Sequence, residues 1–435
     1  MLNDLLKRIA DTGRQLTGRQ GSRPRDIIEL CEALLRGKGE ATGIATAADV
    51  LEAYRKLDEP ARTRFFEDVL AKFSADEAAL HSAIERFRAA PQAAARDLHF
   101  ASEPRSQELI RRLNQAPGGT SALIAMRRDL LDALAKHPEL RDLDRDFSHL
   151  LGSWFNRGFL ELHRIDWSTP AEVLERIIEY EAVHEITSWD DLRGRVGTPD
   201  RRLYGFFHPA MANEPLIFVE VALTGDMPGS IDAILSTTRD RVQPDDAKTA
   251  VFYSISNCHA GLRGISFGNF LIKQVVEDLR RELTGLRNFV TLSPVPGLRR
   301  WAVQQLEAGA KDANAEASTA LDPPQLRLVE ALQAGADPLD PQAAKPLAEI
   351  TARYLTQKSD RAGAIDPVAR FHLGNGARLE RIHPGADTSS RGLKNSWGVM
   401  VNYLYALPDI ERNHEAYATS GEVACSSAVR KLAKT

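Results

Sequence analysis

Cysteine is scarce in this 435-residue chain: Cys31, Cys258 and Cys425 stand far apart, with no CxxC pair and no Cys/His spacing suited to zinc. A disulfide framework is excluded as the organising principle, and a reducing, cytoplasmic location is expected. Long apolar runs are missing as well. No stretch approaches the roughly eighteen residues that cross a bilayer, and the opening Met-Leu-Asn-Asp-Leu-Leu-Lys-Arg lacks a signal-peptide apolar region. The closing Lys-Leu-Ala-Lys-Thr is not a peroxisomal Ser-Lys-Leu ending. Neither secretion nor membrane spanning is expected. A charge excess is absent too: 56 Lys and Arg face 60 Asp and Glu, so the overall balance gives no reason to expect a nucleic-acid partner. Pro and Gly show no excess of the kind that marks disorder.

Several familiar motifs are lacking. No Gly-Lys-Ser/Thr completes a Walker loop and no GxGxxG marks a dinucleotide fold, so ATP and NAD lose support. No GxSxG surrounds Ser293, so it is not read as the nucleophile elbow of a hydrolase. His184-Glu185 runs on as Ile-Thr-Ser and ends at Ser188, so it lacks the second histidine of a zinc protease. His208 and His259 read as a strand-entry residue and a loop residue, and neither has metal-ligand spacing.

What is present divides in two. The length favours two or three domains, of which two is the number adopted. Up to about residue 150 apolar residues recur at three and four, as in Ile27, Ile28, Cys31, Leu34 and Leu35, or Phe65, Phe66, Val69, Leu70 and Phe73. Residues 1–150 therefore read as a helical bundle, and residues 151–435 as a second domain. After residue 200 the pattern turns to short β-rich runs: Leu216-Ile-Phe-Val-Glu-Val-Ala-Leu-Thr224, Val251-Phe-Tyr-Ser-Ile-Ser256 and Asn288-Phe-Val-Thr-Leu-Ser293. These read as central strands. Between the last two, Phe270, Ile272, Val275, Val276 and Leu279 have helical spacing, so the second domain is α/β in character.

Three segments carry candidate chemistry. His259-Ala-Gly-Leu-Arg-Gly-Ile-Ser-Phe-Gly-Asn269 sets Gly261, Gly264 and Gly268 between a strand and a helix start, where backbone N–H groups can approach a pyrophosphate; turn geometry alone is the competing reading. Ser293, in Thr291-Leu-Ser-Pro-Val-Pro-Gly297, sits at a strand end that the prolines stop sharply, though a serine that merely caps the turn fits the spacing equally well. His372, in Asp366-Pro-Val-Ala-Arg-Phe-His-Leu-Gly-Asn-Gly-Ala377, is read as a loop histidine able to exchange a proton near neutral pH. A structural histidine is the alternative.

The strand, glycine loop, helix and strand resemble the acyl-CoA-binding unit of the N-acetyltransferase-like (GNAT) superfamily, with Arg263 and Gly264 at its Arg/Gln-Gly signature. Taken with Glu214-Pro-Leu-Ile-Phe-Val-Glu-Val-Ala-Leu-Thr-Gly225, Phe270-Leu-Ile-Lys273, the Ser293 and His372 segments and Asn402-Tyr403, the chain resembles the malonyl-CoA decarboxylase family. The resemblance implies a GNAT-like mixed α/β catalytic domain behind an all-helical domain that takes part in oligomerisation, as a dimer or tetramer. It implies malonyl-CoA as substrate, no metal or organic cofactor, and no nucleic-acid or membrane partner. Residue by residue, it makes Ser293 the catalytic serine and His372 the catalytic histidine. The CoA-binding loop becomes Arg263, Gly264, Ile265, Ser266, Phe267, Gly268 and Asn269. Ser266 departs from the pattern, because family members can carry a glutamate in that loop.

Loss of carbon dioxide from a malonyl thioester leaves an enolate, which hydrogen-bond donors must stabilise before a proton reaches the α carbon. Ser293 is expected to bind the carboxylate or thioester and His372 to polarise the carbonyl and supply the proton, with Tyr405 a further candidate for the site. Two alternatives share the loop: an acyl-CoA-dependent N-acyltransferase, which would make a new amide, and an acyl-CoA sensor, which would bind without turnover.

Overall fold

The computed structural model describes residues 2–16, 26–265, 267, 271–311, 320–357 and 366–434. They form two compact units. The first comprises the described residues of Met1–Glu161, Phe207–Leu216 and Cys258–Gly268, and the second those of Leu162–Phe206, Ile217–Asn257 and Asn269–Thr435. The division is thus not a single cut along the chain: two short later segments join the helical unit.

In the first unit the three-and-four spacing becomes helices whose apolar faces meet. Ile27–Arg36 buries Ile28, Cys31 and Leu34, and Glu59–Lys72 buries Phe65, Phe66 and Val69. Tyr54, from helix Glu40–Arg55, meets Phe65 edge-on at 5.3 Å. Carboxylates start several of these helices. Asp58 and Asp76 accept from the N–H of Ala61 and Ala79 at 2.9 and 3.0 Å, satisfying donors that the first helical turn leaves open. The three-residue 3₁₀ turn Ala260–Leu262 packs on helix Gly119–Ala133.

The second unit is built on a mixed eight-stranded sheet: β1 (Glu161–Ile165), β2 (Arg201–Phe207), β3 (Ile217–Thr224), β4 (Thr249–Asn257), β5 (Asn288–Thr291), β6 (Ser293–Pro294), β7 (Arg378–His383) and β8 (Met400–Leu404). β1 to β5 lie side by side in that order; β5 and β6 then follow one another along one edge of β8, and β7 takes its other edge. β2, β3 and β4 are buried along almost their whole length, which is why β3 and β4 read as largely apolar runs without alternation. Ala222, Val251, Tyr253, Val290, Leu292, Met400 and Leu404 form one continuous core cluster with Ile231, Ile234 and Ala386. The helical N-terminal part followed by a mixed-sheet part is the fold class expected.

One departure from regular pairing positions the site. The run expected as a single strand to Ser293 is two strands, β5 and β6. β4 and β5 pair in parallel only from Thr249 to Phe252, opposite Asn288 to Thr291, with helix Leu271–Glu282 between them in sequence. Leu292 N–H still donates to Phe252 O at 3.0 Å, after which Ser293 and Pro294 pair with Val401 and Met400 of β8 instead. Pro294 has no N–H with which to continue a ladder. Among the described residues β4 therefore runs on from Tyr253 to Asn257 with no strand partner on that side, and a cleft opens between the diverging strands.

Candidate active site

The cleft has a volume of about 290 Å³. β4 contributes Phe252, Tyr253, Ile255 and Asn257, β6 contributes Ser293 and Pro294, and helix Pro367–Gly374 contributes Val368, Phe371 and His372. Ile217 and Val183 complete the wall with Pro367. Its lining is mostly apolar, and no lysine or arginine is among the described residues that line it.

Ser293 and His372, far apart in sequence, line the cleft together, and Tyr405 meets His372 from outside that lining. Ser293 Oγ lies 3.2 Å from His372 Nε2, and His372 Nδ1 lies 2.9 Å from the Tyr405 hydroxyl. Ser293 Oγ–H donates to Thr291 Oγ1 at 2.8 Å, and Thr291 Oγ1 also accepts from the Tyr403 N–H at 3.1 Å. Proton counting then assigns the imidazole. Since the serine proton is directed at Thr291, Ser293 Oγ accepts from Nε2–H; a neutral ring carries one proton, so Nδ1 accepts from Tyr405 O–H. The chain of donors runs from Tyr405 through His372 and Ser293 to Thr291.

His372 is not on a loop, as its flanking proline and Gly-Asn-Gly turn suggest, but in the last turn of helix Pro367–Gly374. Asp366-Pro367 is the signal that was open to a closer reading: an aspartate before a proline is an N-cap followed by the first helical residue. The helix makes the histidine core-like, stacked on the Tyr403 ring at 4.7 Å. Burial pushes its pKa down to about 3, so the ring is neutral at pH 7 and does not titrate near neutrality. The same burial pushes the Tyr405 hydroxyl well above its ordinary value and keeps it a donor.

The neighbours of Tyr405 do not reach the cleft. Asn402 donates its amide to Thr291 O at 2.8 Å and Pro228 O at 3.2 Å, while its Oδ1 meets His383 Nε2 at 2.6 Å, so it fastens the strand that carries the site. The Tyr403 hydroxyl is buried with no hydrogen-bond partner among the described residues, and the ring serves as a platform for His372. Glu181 was missed by sequence reasoning. Its carboxylate accepts from Ser254 Oγ at 2.8 Å and from the N–H groups of Val183 and His184 at 2.7 Å, holding the Val183 wall against β4.

Of the glycine loop, Ser266, Gly268 and Asn269 lie outside the described residues, and Arg263, Gly264, Ile265 and Phe267 lie within them. Gly264 has φ +81°, a left-handed conformation that favours glycine. Gly261 is needed for a different reason: a Cβ there would stand 1.9 Å from Ile124 O. The base of the loop is tied down by Arg127, buried in helix Gly119–Ala133, whose Nη1 donates to Gly261 O at 2.7 Å and Arg263 O at 2.9 Å. Asp144 pairs with its Nε at 2.8 Å. Nothing local in the sequence marks Arg127, because its partners are 134 and 136 residues away.

Known proteins resemble this chain. A family model described as the malonyl-CoA decarboxylase C-terminal domain matches residues 158–435, and one described as the N-terminal domain matches residues 73–155. The crystal structure of malonyl-CoA decarboxylase from Rhodopseudomonas palustris is 51% identical in sequence, with a TM-score of 0.88 over 94% of this chain and 100% of that one. The corresponding structure from Agrobacterium vitis is 50% identical, with a TM-score of 0.86 over 94% and 99%. Mitochondrial malonyl-CoA decarboxylase of Anser anser anser is 38% identical over 349 residues, 75% of this chain and 69% of the goose protein.

Proposed function

We propose a mechanism from one premise: the chain belongs to the malonyl-CoA decarboxylase family, and it releases carbon dioxide from malonyl-CoA to leave acetyl-CoA. The observation that carries the mechanism is the contact of Ser293 Oγ with His372 Nε2 at the wall of an apolar cleft. The malonyl carboxylate enters that cleft and leaves water behind. With no lysine or arginine among the described lining residues, it exchanges hydration for an apolar surface, which raises its energy relative to neutral carbon dioxide. Ser293 directs its hydroxyl at the carboxylate or thioester in place of Thr291.

As the bond from the α carbon to the carboxylate breaks, its electron pair moves onto the thioester oxygen. His372 Nε2–H, released from Ser293, donates to that oxygen, and the same nitrogen then delivers a proton to the α carbon. Tyr405 O–H remains hydrogen-bonded to Nδ1 throughout, and a water that enters the cleft as carbon dioxide leaves returns a proton to Nε2 and departs as hydroxide. A neutral imidazole suits this work, because at neutral pH it carries its proton at Nε2 and its direction is set by Tyr405. Side chains alone carry the proposed steps, with neither metal nor organic cofactor. The CoA moiety is assigned to Arg263, Gly264, Ile265, Ser266, Phe267, Gly268 and Asn269, on the glycine geometry and the resemblance together.

Self-association as a dimer or tetramer through the helical unit is proposed as well, supported by Phe100, which is 65% exposed on helix Pro91–Ser102. No helix among the described residues is long and apolar enough to cross a membrane. A cytoplasmic location is proposed on the cysteine content, although the goose relative is named as mitochondrial.

The test is to incubate purified protein with malonyl-CoA, without added metal or nucleotide, and follow acetyl-CoA by mass spectrometry beside Ser293→Ala and His372→Ala. Each variant is expected to keep its fold and lose on the order of 10²–10³-fold in kcat, as when an oxyanion donor is removed. Folded variants that turn over like wild type refute the assigned roles.

A further inference from the structure

Among the described residues, Asp366 is the carboxylate that touches the backbone on both sides of the Ser293/His372 pair, and its four hydrogen bonds divide cleanly. Oδ1 accepts from the N–H groups of Val368 at 2.9 Å and Ala369 at 3.1 Å, which caps the helix that carries His372. Oδ2 accepts from the Gly297 N–H at 3.2 Å and the Tyr354 hydroxyl at 3.2 Å. Gly297 ends the Ser293-Pro-Val-Pro-Gly turn that fixes the serine. Capping a helix needs one oxygen; the second is spent on a different segment. The turn is pressed against this junction so closely that a Cβ at Gly297 would lie 2.1 Å from the Tyr354 hydroxyl and 3.2 Å from Asp366 Oδ2. Tyr354 itself is held by the Trp301 ring, whose centroid is 5.0 Å away.

We propose that Asp366 is a positioning residue for decarboxylation: it ties the His372 helix to the Ser293 turn and thereby sets the distance between Ser293 Oγ and His372 Nε2. The proposal rests on the assignment of Ser293 and His372 as the reacting pair. Its physical basis is that no short stretch of chain joins the pair, since 79 residues separate the two side chains in sequence. β6 is held to β8 on one side, while the histidine arrives on a helix of only eight residues. Without a tether at the start of that helix, a small rotation would carry Nε2 away from the serine. Asp366 is 1% exposed, so no water competes for its oxygens at the surface.

Asparagine separates the two jobs. It caps helices as well as aspartate does, so in Asp366→Asn the Oδ1 bonds to Val368 and Ala369 are retained. Its amide nitrogen replaces Oδ2 and faces the Gly297 N–H donor to donor, so the tether is lost. The experiment measures kcat and KM for malonyl-CoA on folded Asp366→Asn beside Ser293→Ala, His372→Ala and a capping control. The control is Asp340→Asn, at the start of helix Pro341–Thr356, where the Asp340 side chain accepts only from the Gln342 N–H among the described residues.

Asp366→Asn is expected to lose on the order of tenfold to a hundredfold in kcat at unchanged KM, as for a small misplacement of reacting groups. Asp340→Asn should keep wild-type kcat. Wild-type kcat in Asp366→Asn, or a rise in KM with kcat kept, overturns the proposal. So does a loss of rate that only matches a loss of folded protein. If Asp366→Asn does not fold, Tyr354→Phe decides, because it removes one of the two Oδ2 donors and leaves the cap untouched. A several-fold fall in kcat at unchanged KM then supports the tether, and wild-type kcat overturns it. If Ser293→Ala and His372→Ala are also silent, the assignment of the pair has failed, which is a result distinct from failure of the tether alone.

Discussion

Acid should destabilise this protein through His372, and by an amount the structure sets. In an unfolded chain the imidazole takes up a proton near its ordinary value of 6.5, whereas in the fold burial pushes it down to about 3. Between those two values the unfolded state binds a proton that the native state refuses. Stability from this group is therefore complete above pH 6.5 and is lost as pH falls toward 3, with a slope of about 1.4 kcal/mol per pH unit. At pH 5 the loss comes to about 2 kcal/mol. The side chain is only 3% exposed, so surface screening does not reduce the figure. Burial also lowers His184, His208 and His383, which adds to the acid sensitivity in the same direction, so the His372 share must be isolated by difference. Urea unfolding at pH 7.5 and pH 5, followed by tryptophan fluorescence, is compared for wild type and His372→Gln. Wild type is expected to lose about 2 kcal/mol more than the variant between the two pH values. Equal losses would mean that the histidine titrates as if hydrated, and a dry site at this end of β6 would be refuted.

Tyr405→Phe removes the donor to Nδ1 and leaves a buried acceptor unmet, at about 1–3 kcal/mol. If the tautomer matters to the reaction, that converts to a fall in kcat of roughly 5- to 150-fold, and an unchanged kcat would show that Nδ1 needs no partner. Gly261→Ala places a methyl group against Ile124 O, so the helical unit should lose about 1–3 kcal/mol in thermal unfolding as the loop shifts. KM for malonyl-CoA should rise while kcat is retained, and a variant with wild-type melting and KM would refute the close packing.

The family could be read early because its strands are buried on both faces. β3 and β4 have almost no exposed positions, so their residues form largely apolar runs that stand out against the helical spacing of the first 150 residues. The strand end at Ser293 was legible for a related reason: Pro294 and Pro296 lack the N–H that would continue a ladder, and the strand runs no further than Pro294. His372 was located but misplaced. Its flanking proline and glycines suggest a loop, yet Asp366 and Pro367 start a helix between them and bury the ring. The proton exchange expected near neutrality gives way to a neutral imidazole for that reason alone.

Local order is what the sequence by itself determined: which segments are helix or strand, where a glycine loop lies between them, and which residues stand at a strand end. Those properties depend on periodicity, caps and turn residues within a few positions of one another. Tertiary structure alone decided the divergence of β4 from β5, the alignment of Tyr405, His372, Ser293 and Thr291, the bridging carboxylate of Asp366 and the grip of Arg127 on the loop. Each joins groups well separated along the chain. A hydrogen bond has no local signature when its partners are brought together only by the burial of apolar surface elsewhere, and burial also sets the protonation of the histidine.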